Sequence, residues 1–319
     1  MELTGVENLK IEKSKMYFLL PYGLGDTMIL CGLKPALEEK YSTKIHFLIK
    51  DSHKIVMDMF KISDFSIIDI SKVDLFLLGD ATPTPTKGKI FVAHPEFHKE
   101  LLYLFNEINT STDGNKTAFI DWYKKFLGLP QKTKLALPSW YPEPSNGVKK
   151  KIKKLGGASK IIVLIPEANS MQINNKTIWK NIIKSNKQFK PVCIVNNKKN
   201  RIKGIKNLTL DLYNTVALMM NCHSVYAIRS GLCDLVANDI SNMTVLYSNQ
   251  HFKDVYSLKP VNENIVEWVI EDEKKYDKKI KLKLFGFFTI LKIIKVDRSL
   301  KFYLFDIIPL LKIQGKDQK

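Results

Sequence analysis

Cysteine is sparse in this chain, with four in 319 residues. Cys31, Cys193, Cys222 and Cys233 stand far apart, and none belongs to a Cys-x-x-Cys pair. That spacing excludes a disulfide scaffold or a cysteine-built zinc site and points to free thiols in a reducing compartment. Long apolar runs are lacking too. No stretch reaches the roughly 18 residues of a membrane-spanning helix, and Met1–Lys15 holds no apolar core of a signal peptide. These absences predict a cytoplasmic protein, able at most to touch the membrane from its inner face. Acids are also scarce: 32 Asp and Glu stand against 50 Lys and Arg, a net charge of +18. Such an excess implies an anionic partner, whether nucleic acid, an acidic membrane surface or a phosphorylated substrate.

The frequent Lys, Asn and Ile residues fit an AT-rich coding bias, so clustering says more than the total. Residues 278–319 carry eleven Lys and Arg against three acids, Asp297, Asp306 and Asp317. Within them, 280–313 interleaves basic residues with Phe, Leu and Ile in two apolar bursts too short to span a bilayer. Two readings stand: a terminal helix and strand packed on the core, or a basic amphipathic anchor on an anionic membrane. No nucleic-acid motif accompanies the charge, so nucleic acid is not the expected partner.

The remaining chain alternates short apolar runs with helical patterns, at an overall hydrophobic content of 45%. Strands are predicted at 16–21, 45–49, 75–78 and 90–92, with helices at 27–41, 51–60, 95–106 and 118–127. Leu137–Gly147 then packs three prolines and a glycine into eleven residues, and a lysine run follows at 149–154. This is the best linker in the sequence. The same grammar restarts, with strands at 161–165, 192–195, 225–228 and 243–247 and helices near 179–185, 213–221 and 231–237. Strands alternating with helices predict parallel sheets covered on both faces. The expected architecture is α/β: two Rossmann-like domains, 1–147 and 148–275, facing each other across a cleft, and a basic amphipathic tail, 276–319.

Three segments carry chemistry. Pro21-Tyr22-Gly23-Leu24-Gly25-Asp26-Thr27 joins the first strand to a helix. Its glycines allow a tight turn, and a helix start supplies free N–H groups. Met28 occupies the place of the third glycine of a dinucleotide fingerprint, so NAD binding is not expected. Asp26 falls where ligands sit in open α/β sheets, although it could simply cap the helix. The second segment, Ile165-Pro166-Glu167-Ala168-Asn169-Ser170, leaves a strand and leads to Lys176 and Trp179. Backbone N–H groups there, with the Lys176 ammonium, suit a phosphate. The third is Ile228-Arg229-Ser230-Gly231-Leu232-Cys233-Asp234. Arg229 offers a fork for a diphosphate beside Ser230 and Gly231. Asp234 can orient that arginine, bind a sugar hydroxyl, or close an ion pair that tightens the turn. His94 and His98, four apart, would share a helix face but lack a third metal ligand; His223 sits in apolar surroundings and reads as core. Walker, Gly-x-Ser-x-Gly, His-Glu-x-x-His and Asp-x-Asp motifs are all absent.

Taken in order, the three segments resemble glycosyltransferase family 9, the heptosyltransferase-like group, over about residues 16–270. The resemblance implies a two-domain GT-B fold. It implies that Gly23, Gly25 and Asp26 form the acceptor-side turn, beside Thr27, with Asp26 as the base that activates the acceptor. Pro166, Glu167, Ala168, Ser170 and Lys176, with Arg229, Ser230, Gly231 and Asp234, would then bind the donor. The family's Asp-Thr-Gly-Leu-x-His motif reads Arg-Ser-Gly-Leu-Cys-Asp here, so Arg229 and Asp234 depart from it. That variant is similar to divergent surface-polysaccharide glycosyltransferases. The expected function is metal-independent, cofactor-free sugar transfer from a nucleotide sugar. The acceptor would be a lipid-linked glycan of lipopolysaccharide or capsule type, with membrane contact through 280–313. The alternatives are a nucleotide-sugar epimerase on the same fold and an inactive membrane-bound scaffold.

Overall fold

The computed structural model describes residues 6, 9–104, 119–169, 171–173 and 176–270, together with the backbone of four strands beyond residue 277. The chain divides into two compact units, Met1–Ile270 and Glu271–Lys319.

The first unit is α/β and holds two all-parallel sheets. One comprises β1 (Met16–Leu19), β2 (Ile45–Ile49), β3 (Phe65–Ile67) and β4 (Ile90–Val92), in the order β3-β2-β1-β4. The helices α1 (Leu24–Tyr41), α2 (Lys54–Phe60), α3 (Leu75–Ala81) and α4 (Phe119–Phe126) lie between or after its strands. The extended segment after α4 is pinned to that half: Ala136 N–H donates to Gly32 O (2.8 Å) and Ser139 N–H to Met59 O (2.9 Å). It ends at α5 (Asn146–Lys154).

The second sheet has β5 (Ile161–Ile165), β6 (Lys190–Ile194), β7 (Lys206–Leu208), β8 (Ser224–Ile228), β9 (Met243–Tyr247) and β10 (Val266–Val269). Its order is β10-β9-β8-β5-β6-β7. The helices here are α6 (Lys176–Ser185), α7 (Leu212–Asn221), α8 (Gly231–Val236) and α9 (Gln250–Tyr256).

Strand alternation explains the packing. In β1, Met16 and Phe18 point into the main core, while Tyr17 and Leu19 join a smaller cluster with Leu48, Val92 and Phe97. All four residues are buried because the sheet is covered on both faces. The main core is continuous through both sheets, running from Phe18, Leu30 and Trp122 to Val163, Cys233 and Leu246. Cys31, Cys193 and Cys233 are buried free thiols, and Cys222 is a half-buried one.

Several expectations need correction. The apolar run 75–78 is the start of α3, because Asp74 caps it by accepting from Leu77 N–H (3.0 Å). The segment after His94 does not open as a helix. It forms two short 3-10 turns, Pro95–Phe97 and Lys99–Leu101, separated by an extended His98. Residues 102–104 of the expected helix are helical, and 105–106 lie outside the described residues. The lysine run 149–154 is not linker but helix α5, with Val148 and Ile152 turned inward. The terminal segment has no helix among its described residues. Its second-unit backbone is an antiparallel meander of β11 (Lys278–Leu284), β12 (Phe288–Val296), β13 (Ser299–Leu304) and β14 (Ile308–Gln314). Pro309 falls at a register irregularity of β14, where a missing N–H is tolerated. No helix among the described residues is long and apolar enough to cross a membrane.

Candidate functional site

The first and third sequence segments meet. Gly23 is the N-cap of α1 and Ser230 the N-cap of α8, each at the carboxyl end of its strand. A Cβ on Gly231 would lie 2.8 Å from Gly25 N and 3.0 Å from Leu24 Cβ, and one on Gly25 would lie 2.6 Å from Asp234 Oδ2. Only glycine allows two helix starts to approach this closely, backbone against backbone. The contact joins the sheets at the ends where ligands gather in open α/β folds.

Asp26 occupies the third position of α1. Its Oδ2 accepts from Gly23 N–H (3.2 Å), and its Oδ1 accepts from the Tyr123 hydroxyl (2.7 Å). It therefore does cap the helix, yet it also faces the junction. Burial pushes its carboxyl above the usual carboxylate range; the two hydrogen bonds pull it partly back, and the nearby Asp234 carboxylate raises it further. Tyr123 is driven well up by burial and by Asp26 itself, so it stays a phenol that donates. Thr27 is fully buried; its hydroxyl donates to Gly23 O (3.2 Å) and lies 2.8 Å from His53 Nδ1. Burial, then Lys50, lowers His53 to about 4, which keeps that ring neutral.

Arg229 is 8% exposed and largely committed. Nη1 donates to Asp234 Oδ2 (2.6 Å) and Ser230 O (2.7 Å), Nη2 to Asp234 Oδ1 (2.8 Å), and Nε to Tyr256 O (2.9 Å). Burial opposes its charge, but Asp234 outweighs burial and holds the guanidinium firmly protonated. Asp234 thus closes the ion pair with Arg229. The Ser230 hydroxyl lies 4.0 Å from Cys233 Sγ and does not cap α8.

In the second segment, Pro166 and Ala168 leave β5 half-buried. Glu167 is a staple for the loop after β6: its carboxylate accepts from Asn196 N–H and Asn197 N–H (both 2.8 Å) and from Asn200 Nδ2 (3.1 Å). Lys176 begins α6. Ser170 lies outside the described residues.

His98 is buried, with Nδ1 3.0 Å from Gly79 O and Nε2 2.6 Å from Val92 O, so backbone carbonyls occupy both nitrogens. Burial lowers His94 to about 3, and its ring packs on Tyr22 at 4.2 Å. Among the described residues no cluster of His, Cys, Asp and Glu could hold a metal ion. His223 stacks on Phe189 at 3.7 Å.

Sequence reading missed Tyr123 and Tyr256. Tyr123 is 97 residues from Asp26, and nothing local marks it. Beside the junction lies a cavity of about 470 Å³, with Met28, Phe119, Leu135, Arg229, Asp234 and Tyr256 in its wall. Lys132 and Lys134 also line it and are exposed.

No protein-family model matches the chain, and no curated protein matches it by sequence. Solved structures do. The glycosyltransferase family 9 protein from Veillonella parvula DSM 2008 aligns with a TM-score of 0.52 at 14% identity, over 83% of this chain and 89% of that one. ADP-heptose LPS heptosyltransferase II of E. coli aligns at 15% identity over 80% and 89%, with a TM-score of 0.47. The second likeness is too loose to argue from, but the first is enough to say that this chain has the fold of a glycosyltransferase family 9 protein.

Proposed function

We propose that the chain is a metal-independent glycosyltransferase that moves a sugar from a nucleotide-sugar donor to a hydroxyl of a lipid-linked surface glycan. The observation that carries this reading is Asp26, a carboxylate of raised pKa held by Tyr123 and Gly23 at the contact between the two sheets. A general base works best when its pKa approaches the working pH and its geometry is held. Asp26 takes the proton of the acceptor hydroxyl as that oxygen attacks the anomeric carbon. The bond from the anomeric carbon to the diphosphate oxygen breaks, and the nucleoside diphosphate leaves with the electron pair. Lys176, Ser230 and the Gly231 backbone are the donors assigned to its growing charge. The Arg229–Asp234 pair braces the Gly231 turn, and Arg229 keeps one Nη2 N–H with which to meet a phosphate oxygen.

One observation favours a second reading, an inactive scaffold: the guanidinium suited to a diphosphate is already closed on a carboxylate. Thermal-shift titration with UDP, GDP, ADP and CMP and their sugars, without metal, separates the two. Saturation at 100 times Kd stabilises by about 2.7 kcal/mol. A selective rise with one diphosphate supports the transferase and names its donor class. No rise with any nucleotide, from folded protein, leaves the scaffold. Transfer assays with and without acceptor then distinguish transfer from epimerisation.

A further inference from the structure

The positive charge of this chain is concentrated around the second of the three segments and outside the first and third. Residues 146–206 hold fifteen lysines and one arginine against a single acid, Glu167, a net of +15. The other 258 residues carry 34 basic and 31 acidic groups. A coding bias toward lysine would act on the whole chain, and it would not strip one stretch of acids. All fifteen basic side chains described there are exposed, and Glu167 is turned to the loop after β6. Among the described residues, Lys149 alone of this set meets a carboxylate, Glu143 at 3.5 Å.

Much of this charge sits at one end of the second sheet. Lys160 precedes β5, Lys190 opens β6 and Lys206 opens β7, and these are adjacent parallel strands in register, Ile161 with Lys190 and Val192 with Lys206. Lys184 and Lys187 flank the end of α6 that runs into β6, and Lys154 ends α5. A Cβ on Gly156 would lie 3.9 Å from both Lys160 Cβ and Lys190 Nζ, so α5 turns back into the same group. Arg229 and Pro166 lie at the opposite, carboxyl ends of the strands. A partner at the amino end leaves the junction open.

We propose that this amino-end pole, carried by Lys154, Lys160, Lys184, Lys187, Lys190 and Lys206, is an electrostatic docking surface for an anionic lipid bilayer. The chemistry favours a membrane over nucleic acid. Lysine is a point charge that attracts headgroups without geometric demand, whereas nucleic-acid readers use arginine forks and aromatic stacking. The stretch has one arginine, its Trp179 is buried, and none of the large exposed hydrophobic side chains lies within it. The pole therefore adsorbs without inserting, and its binding is screened by salt. This surface is built from other residues than the 280–313 segment expected from sequence, and the proposal stands whether or not the chain transfers sugar.

The test is co-sedimentation of the full chain with phosphatidylcholine vesicles, with and without 30% phosphatidylglycerol, at 50 and 500 mM NaCl. Each lysine near an anionic surface contributes about 1 kcal/mol, roughly fivefold in partitioning. Binding is expected only to the anionic vesicles at low salt. The variant Lys160→Gln, Lys187→Gln, Lys190→Gln, Lys206→Gln should bind more than 100-fold more weakly, with an unchanged melting temperature. A companion variant, Lys281→Gln, Lys283→Gln, Lys292→Gln, Lys295→Gln, should keep most of the binding. Wild-type partitioning by the pole variant, or loss confined to the companion, overturns the proposal. So does binding to single-stranded polynucleotide with none to anionic vesicles.

Discussion

Removing Asp234 tests the reading of the sheet junction most directly. In Asp234→Ala the Arg229 guanidinium loses both carboxylate oxygens, now at 2.6 and 2.8 Å, while its side chain is only 9% exposed. Breaking a buried pair from one side typically costs about 3–5 kcal/mol, because the surviving charge is left without its partner. For a unit of this size, each kcal/mol moves Tm by roughly 2–4 °C, so a fall of about 6–20 °C is expected. Urea denaturation followed by circular dichroism reads the loss as a lower midpoint at unchanged slope. The double variant Arg229→Met/Asp234→Leu removes both charges and should recover most of it, because a packed apolar pair often matches a buried ion pair. The coupling between the two sites should then be about 3 kcal/mol. A loss below about 1 kcal/mol for Asp234→Ala would refute the brace and return Arg229 to solvent or ligand. In that case Arg229→Met should weaken nucleotide binding without destabilising the fold.

Asp26→Asn should lower turnover about 100- to 10,000-fold, the usual span for a lost base, while nucleotide affinity stays near wild type. The same variant should be more stable than wild type at neutral pH. A carboxyl whose folded pKa is raised contributes stability that is full below its unfolded value and lost as pH rises through the folded one. Near pH 3 the two proteins should therefore converge, and a constant difference would contradict the linkage. Tyr123→Phe deletes a hydrogen bond that lowers the Asp26 pKa, so the acidic limb of the rate profile should move to higher pH; a static limb would place the base elsewhere. Gly231→Ala drives a methyl against Gly25 N and should cost about 1–3 kcal/mol, whereas Gly147→Ala, with open space around it, should cost nothing.

The sheets were largely legible before any coordinate. β1, β2, β5, β8 and β9 are apolar-rich runs of four or five residues bounded by turns or helix starts. The 75–78 run went astray because a short apolar segment reads equally as strand or helix; the deciding signal was the cap, Asp74. The extended His98 was illegible for a different reason. Its conformation follows from two carbonyls, Gly79 O and Val92 O, that only the folded sheet brings to it.

The sequence by itself determined the α/β alternation, the position of each Gly turn at a strand end and the free state of the thiols, because these depend on periodicity, local backbone freedom and composition. Tertiary structure decided what those turns do. Asp26 acquires Tyr123 across 97 residues of chain, and Gly25 meets Asp234 across more than 200. No local pattern encodes such pairings, since they exist only when the two sheets share one core. The same packing settled Arg229, whose free fork and closed pair are indistinguishable as letters: burial made an unpaired guanidinium too costly, and the carboxylate five residues on closed it.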